Sequence, residues 1–144
     1  MNGWLLDTNV LSAFAPGRPI LSADINLWLE ERSEALFLST VSVMEIDAGV
    51  AKLRRIGAAR RGDILKTWLG HILDLYGERI LPFDLAAAHV AGELHDVATS
   101  IGRHPGFADV AIAAIAKSRD LVVLTVNHRH FNPLGIETLN LLEQ

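Results

Sequence analysis

Three carboxylates stand alone in stretches of the sequence that are otherwise uncharged. Asp7 is the only charged side chain in the first 17 residues, and Glu45 is the first charge after ten uncharged residues. Asp109 is the only residue in 107–116 that is not apolar. Burying unpaired carboxylates is costly, and crowded carboxylates raise one another's pKa values. Since these stretches contain no Lys or Arg, we expect a divalent cation to balance the charge.

Oxygen ligands of this kind suit Mg²⁺ or Mn²⁺, which favour carboxylate and water oxygens. Such a site fits phosphodiester hydrolysis, because the cation stabilises charge on the phosphate and leaving oxygen and generates a nucleophile from water. We expect Asp7 and Asp109 to be the primary ligands. Glu45 would bind directly or through water and orient the attacking water. Thr125 and Asn127 would hold waters or the phosphate.

The elements that must position these residues alternate between strands and helices along the chain. Such alternation favours an α/β fold with a mainly parallel sheet covered on both faces, whose ligand site lies at the carboxyl ends of the strands. The predicted strands are residues 3–6, 35–39, 79–81, 121–125 and 135–139, the last at an edge. The predicted helices are a turn at 7–14 and the segments 22–32, 41–53, 64–76, 85–100 and 107–117.

Each acid also has a structural interpretation when it is taken alone. Asp7 is suitably placed to cap the turn that follows the first strand. Ser42 and Glu45 match a capping box, and Asp109 would favour the positive end of its helix dipole. The occurrence of all three after successive segments favours the shared metal site. Asp84, after a proline and before an alanine-rich helix, is interpreted only as an N-cap.

The bulk composition restricts the class of protein. The 144 residues fit one domain, 1–144, and half of them are hydrophobic, which is enough for a substantial core. The absence of cysteine excludes disulfides and thiolate metal sites. Without a signal peptide or an 18-residue apolar run, the protein is expected to be cytoplasmic and not in a membrane. The net charge of −4 argues against an indiscriminate nucleic-acid coat protein.

Two basic segments depart from this average. Between Lys52 and Lys66 lie six basic residues and the single acid Asp63. This helical surface is either an RNA contact or a solvated face. The segment 128–130, His-Arg-His, follows Asn127 and would reach substrate phosphates at the rim of the site, or else form a solvated loop. No histidine makes a convincing catalytic case.

Four segments together, in this order, resemble the PIN-domain ribonucleases, specifically the VapC toxins of bacterial toxin–antitoxin pairs. They are LLDTNVLS, LSTVSVMEIDAGV, FADVAIAAIA and LTVNHRHF. RILPFD with its alanine-rich helix also resembles the VapC/FitB-like branch. The resemblance covers essentially the whole chain.

The resemblance implies a three-layer α/β/α sandwich with a central sheet of four to five strands and Mg²⁺- or Mn²⁺-dependent endoribonuclease activity. Asp7, Glu45 and Asp109 match the family's three core acids, and Thr125 matches its hydroxyl residue. Asn127 stands where many members carry a fourth acid, which favours one metal over two. The family further implies an RNA substrate, a VapB-type antitoxin that blocks the acidic pocket, a homodimer, and a higher toxin–antitoxin assembly.

Two other classes remain open from the residues. An aspartate-based phosphotransferase or phosphatase also carries an Asp after its first strand. However, LLDTN has no second Asp two residues later, and no suitable lysine follows a late strand. A non-catalytic module that keeps the fold only to bind a partner is the other alternative, against which the three intact acids argue.

Overall fold

The computed structural model describes residues 1–141, in which five short strands form a parallel sheet. The strands are Trp4–Leu6 (β1), Leu36–Ser39 (β2), Ile80–Leu81 (β3), Val122–Leu124 (β4) and Thr138–Leu139 (β5). Their order is β3-β2-β1-β4-β5, so the predicted parallel sheet with the last strand at an edge is confirmed. Residues 142–144, the end of the predicted domain, lie outside the described residues.

The central strand β1 lies where the direction of the chain across the sheet reverses. Trp4 pairs with Leu36 of β2 on one side and with Val122 of β4 on the other. The chain first adds β2 and β3 to one side and later adds β4 and β5 to the opposite side. Ligand sites of open parallel sheets form at the carboxyl ends of strands beside such a switch point.

Helices connect the strands and cover the sheet. Ser22 and Asp84 are N-caps, since their side chains accept hydrogen bonds from the N–H groups of Ile25 (3.2 Å) and Ala87 (2.9 Å), as predicted. No helix within residues 1–141 has both the length and the apolar composition needed to cross a membrane. The helices of this part are Thr8–Ser12 (α1), Ala23–Glu31 (α2), Thr40–Arg55 (α3), Ala59–Tyr76 (α4), Leu85–Ser100 (α5), Phe107–Ser118 (α6) and His128–Phe131 (α7).

Successive residues of each strand enter different cores, because strand side chains alternate between the two faces of the sheet. Leu5 and Val123 pack with α5, α6 and Phe131 on one face. Leu6 and Leu124 pack with α1, α2 and α4 on the other. The predicted three-layer α/β/α sandwich is therefore confirmed.

The helix α6 is the most deeply buried helix segment of this fold. All residues from Val110 to Ala116 are buried, as the apolar run 107–116 predicted. A helix enclosed in this way cannot move without disturbing the core. Asp109, in its first turn, is consequently held at a fixed place at the edge of the sheet.

The segment 128–130 differs from the predicted alternative of a solvated loop. It forms the short helix α7 instead. Phe131, at the end of this helix, is fully buried and anchors the segment to the core of α5 and α6. Because the polar residues His-Arg-His show no helical periodicity, the sequence pattern does not indicate that Phe131 anchors this segment.

Gly3 sets the position from which β1 starts. Its φ is +141°, and a Cβ placed there would lie 2.4 Å from the carbonyl oxygen of Ala35. The backbone before β1 thus passes too close to the backbone before β2 for any side chain. This close approach aligns β1, the strand that ends directly before Asp7.

Substituting Gly3→Ala should therefore lower the free energy of unfolding by at least the roughly 1–3 kcal/mol typical of a residue in a sparsely populated backbone region. Gly49→Ala is the matched control, because nothing lies within 4 Å of its added Cβ inside α3. It should raise the free energy of unfolding by about 0.5–1 kcal/mol. Urea denaturation of both variants measures the difference, and a Gly3→Ala variant as stable as the parent contradicts the prediction.

Candidate active site

Asp7 lies at the carboxyl end of β1, beside the switch point, and is only 5% exposed. Its Oδ1 accepts a hydrogen bond from the backbone N–H of Thr8 at 2.8 Å. Its Oδ2 accepts one from the hydroxyl of Thr125, also at 2.8 Å. The predicted cap of α1 is thus present, but carboxylate oxygens have further lone pairs, so the cap and a ligand role are compatible.

Thr125 follows β4 and is fully buried next to Asp7. Its Oγ1 accepts a hydrogen bond from the backbone N–H of Asn127 at 2.9 Å. That contact directs the hydroxyl hydrogen toward Asp7. Thr125 therefore contacts the first acid itself, where the sequence suggested contact with a water or a phosphate.

Glu45 reaches the same edge of the sheet from the second turn of α3. The hydroxyl of Thr8 donates to its Oε1 at 2.6 Å. Thr8 is the residue directly after Asp7, and its backbone N–H holds the Asp7 carboxylate at the same time. One residue therefore binds two of the three acids.

A chain of hydroxyl groups lies behind this contact. Ser39 Oγ donates to Ser42 Oγ at 3.4 Å, and Ser42 Oγ lies 2.8 Å from Thr8 Oγ1. The hydrogen of Thr8 is committed to Glu45, so Ser42 is the donor to Thr8. The chain thus points from Ser39 toward the carboxylate.

The capping-box interpretation of Ser42 and Glu45 is wrong. Helix α3 begins at Thr40, and its N-cap is Ser39, whose side chain accepts from the N–H of Ser42 at 3.1 Å. Ser42 already lies in the first turn of this helix and so is not its N-cap. Glu45 is therefore free of a capping role and projects toward Thr8.

Asp109 approaches from the first turn of α6 and is 24% exposed. Its Oδ2 lies 3.1 Å from Nδ1 of His130, which belongs to α7. The third acid thus lies at the rim, in contact with an imidazole.

Asn127 lies half-buried directly before α7, and its side chain makes no hydrogen bond within residues 1–141.

The electrostatics of Asp7 connect the three acids. Burial raises the pKa of Asp7 above its ordinary value of 3.8. Hydrogen bonds from Thr125 and Thr8 oppose this rise, whereas the nearby carboxylates of Asp109 and Glu45 add to it. No Lys or Arg in residues 1–141 forms an ion pair with these acids. The site therefore concentrates negative charge, and within residues 1–141 the basic side chain in contact with it is the imidazole of His130 beside Asp109.

The donor set suits a hard divalent cation. Within residues 1–141 no three or more side chains of His, Asp or Glu are already arranged to hold a metal ion. Glu45 is hydrogen-bonded to Thr8, and Asp109 is paired with His130. Mg²⁺ commonly binds through one or two carboxylates and keeps several waters. One buried carboxylate with two others nearby fits that mode of binding, with Glu45 acting through water.

Sequence patterns did not identify Thr8 or Ser42 as members of the site, and they placed His130 at its rim without predicting the contact with Asp109. Thr8 adjoins Asp7, and Ser42 lies one helical turn before Glu45, which is the only local signal for the hydroxyl chain. The contact between His130 and Asp109 joins residues 21 positions apart in sequence and has no such signal.

The basic surface between Lys52 and Lys66 is partly neutralised by acids. Arg54 pairs with Asp63 at 2.9 Å, and Lys66 pairs with Asp47 at 2.6 Å. Asp47 lies outside the segment, so its effect is not apparent from the local composition. The prediction that this surface contacts RNA is therefore weakened, and Arg55 and Arg61 are among its exposed cations without an acidic partner in residues 1–141.

Comparison with known proteins places this site in a family. The PIN domain model matches residues 4–134. Plasmid stability protein StbB of Pseudomonas syringae pv. tomato is 35% identical over 138 residues, covering 94% of this chain and 96% of that protein. Toxin FitB of Neisseria gonorrhoeae is 33% identical, covering 94% and 96%. VapC ribonuclease Y4jK of Sinorhizobium fredii is also 33% identical, covering 94% and 95%.

Solved structures agree with this match over nearly the whole chain. The crystal structure of FitAcB from Neisseria gonorrhoeae aligns with a TM-score of 0.81 at 34% identity, covering 95% of this chain and 96% of that one. DNA-bound VapBC from Salmonella typhimurium aligns with a TM-score of 0.79 at 26% identity, covering 96% and 98%. The chain belongs to the PIN-domain family and is a homologue of plasmid stability protein StbB, toxin FitB and VapC ribonuclease Y4jK.

Proposed function

We propose that this protein is a Mg²⁺- or Mn²⁺-dependent endoribonuclease and the toxin of a VapBC-type toxin–antitoxin pair. The observation that carries the proposal is the position of the buried Asp7 carboxylate at the end of the central strand, with the carboxylates of Glu45 and Asp109 nearby and no basic partner of its own within residues 1–141. Similarity to a protein named as a VapC ribonuclease supports the nuclease activity at the level of the family.

The proposed mechanism assigns the cation to Asp7 and Asp109, with Glu45 binding through water. When bound, the cation stabilises the negative charge that develops on the scissile phosphate and the leaving oxygen. Glu45 orients the attacking water and accepts its proton, and Thr8 fixes the carboxylate for that task. Thr125 holds Asp7 in place. The amide of Asn127 hydrogen-bonds a water or a phosphate oxygen and contributes no fourth negative charge, which favours a single metal ion.

We also propose a VapB-type antitoxin as the partner of this chain. The similar structures from Neisseria and Salmonella are those of FitAcB and of DNA-bound VapBC, which supports the same kind of pairing here. An antitoxin arginine would suit the acidic site, since a guanidinium pairs well with carboxylates. A homodimer, and a larger toxin–antitoxin assembly built from it, complete the proposal.

We propose that residues 1–144 form a single PIN domain, of which the family model matches 4–134. A toxin that cleaves cellular RNA meets its substrate in the cytoplasm, which is the compartment we propose.

Removing either proposed metal ligand should abolish cleavage of RNA. Asp7→Asn and Asp109→Asn should each lose more activity than the roughly 10- to 100-fold typical of an outer-shell partner. Asp96→Asn, on the exposed face of α5, is the matched control and should cleave like the parent. The measurement is the rate of RNA cleavage with Mg²⁺ or Mn²⁺. Equal rates in all variants contradict the nuclease proposal and favour a non-catalytic module.

Thr8 should act as a positioning residue for Glu45. Thr8→Val removes the donor at 2.6 Å while keeping the shape, and kcat should fall about 10- to 100-fold. Thr8→Ser should restore most of the activity. In a Glu45→Gln background, Thr8→Val should have little further effect, because the residue acts through the carboxylate. Additive decreases in the double variant contradict this role.

The folded protein should be stabilised by Mn²⁺ through Asp7. At a Mn²⁺ concentration about 100 times its Kd, binding adds about 2.7 kcal/mol to the free energy of unfolding, so Tm rises. The rise in Tm should be much smaller for Asp7→Asn. In EDTA at neutral pH, Asp7→Asn should have a higher Tm than the parent. The raised pKa of Asp7 means that its ionised form destabilises the folded state. This gap should narrow as the pH falls through the raised pKa toward 3.8. Equal Mn²⁺ shifts in both proteins contradict the site.

A further inference from the structure

A second polar cleft opens beside the acid cluster. It has a volume of about 300 Å³ and lies between the loop that joins α5 to α6 and the short helix α7. The loop contributes Arg103 and His104, and the helix contributes Arg129 and His130. Asp109 also lines the cleft, so the cleft and the acid cluster share one residue.

The two arginines of this cleft are exposed and have no acidic partner among the described residues 1–141. Arg103 and Arg129 form no ion pair within residues 1–141. By contrast, Arg54, Lys66 and Arg119 are each paired with an aspartate. Asp109, the carboxylate that lines the cleft, lies against the imidazole of His130. The cleft therefore presents unpaired guanidinium groups from two different segments toward one space.

We infer that this cleft binds a backbone phosphate of single-stranded RNA next to the scissile phosphate. The inference rests on the proposed nuclease function and specifies how the substrate is held. Guanidinium groups match phosphate geometry with paired hydrogen bonds, and contacts of this kind fix the register of a nucleic acid without reading its sequence. Because Asp109 borders both spaces, a strand held in the cleft continues directly into the acid cluster.

RNA is favoured over an acidic protein segment because the proposed nuclease reaction requires RNA, a polyanion, to reach the neighbouring acid cluster. The acid cluster repels any anion, and the chain as a whole carries a net charge of −4. A polyanion therefore needs local positive charge to reach the cluster, and this cleft provides it at the border of the cluster. The basic surface on α3 and α4 is the rival, and two of its cations are already neutralised.

The test is the salt dependence of RNA binding in EDTA, where no metal is available for cleavage. The probe is a short fluorescent single-stranded RNA, and anisotropy gives Kd over a range of KCl concentrations. The variant Arg103→Ala with Arg129→Ala should bind more weakly. Its plot of log affinity against log salt should become shallower by about 0.7 for each phosphate that the variant no longer neutralises. Arg103→Lys with Arg129→Lys keeps the charge and should keep most of the slope.

The matched control is Arg55→Ala with Arg61→Ala, which removes two exposed cations from the rival surface. A slope change in this control, with none in the cleft variant, overturns the inference. So does an unchanged slope in both, which would leave the cleft as a surface for protein contacts. Thermal melting of each variant checks that the fold is intact, and the lysine variant provides a second reading if the alanine variant is unstable.

Cleavage of the same RNA by the parent with Mn²⁺ separates this inference from the proposed function. If the parent cleaves RNA and the cleft variant keeps the parent's affinity and slope, the inference fails and the nuclease proposal stands. If the parent neither binds nor cleaves RNA, both fail. If the parent cleaves and only the cleft variant shows weaker affinity and a shallower slope, both are supported.

Discussion

The buried carboxylate of Asp7 is the constraint on which the rest of the site depends. It lies at the end of the central strand, and burial together with two nearby acids raises its pKa. Its partners in the fold are an amide N–H and a hydroxyl, which orient the carboxylate but bring no positive charge. The fold thus fixes the group without neutralising it. An unneutralised, fixed carboxylate attracts a cation, whereas an internal salt bridge would have removed that attraction.

The hydroxyl groups around the acids give the site its rigidity. The Thr125 hydroxyl accepts a hydrogen bond from the N–H of Asn127, so its own hydrogen is donated to Asp7. The chain of hydroxyl groups that starts at Ser39 ends with the hydrogen bond that Thr8 donates to Glu45. Each hydroxyl has one hydrogen, so every link in these chains fixes the direction of the next. Only Oε1 of Glu45 receives a bond in residues 1–141, which leaves its second oxygen available to a water. The same contacts that satisfy buried polar atoms therefore prepare the carboxylates for ligands.

The sequence predicted what depends on local signals and missed what depends on packing. Buried strands and helices appear in the sequence as apolar stretches, and the three acids stand out as single charges within or beside such stretches. The sheet and the three carboxylates could therefore be predicted. The start of α3 was predicted to within one residue, but its N-cap was not, because Ser42 and Glu45 match a capping box while the cap is Ser39. The contact of His130 with Asp109 depends on the anchoring of α7 by Phe131, a tertiary effect.

The acidic and basic side chains of this site occupy different places, with the acid at its centre and the arginines at its rim. Asp7 is nearly inaccessible, while Asp109 is about a quarter exposed and borders the cleft that contains Arg103 and Arg129. The charged side chains therefore change in sign from the acid cluster to the arginines that line the cleft. An anionic strand is attracted at the rim and repelled at the centre until a cation occupies the centre. If the proposed function holds, Asp109 would link substrate entry to metal occupancy, because it belongs to both regions.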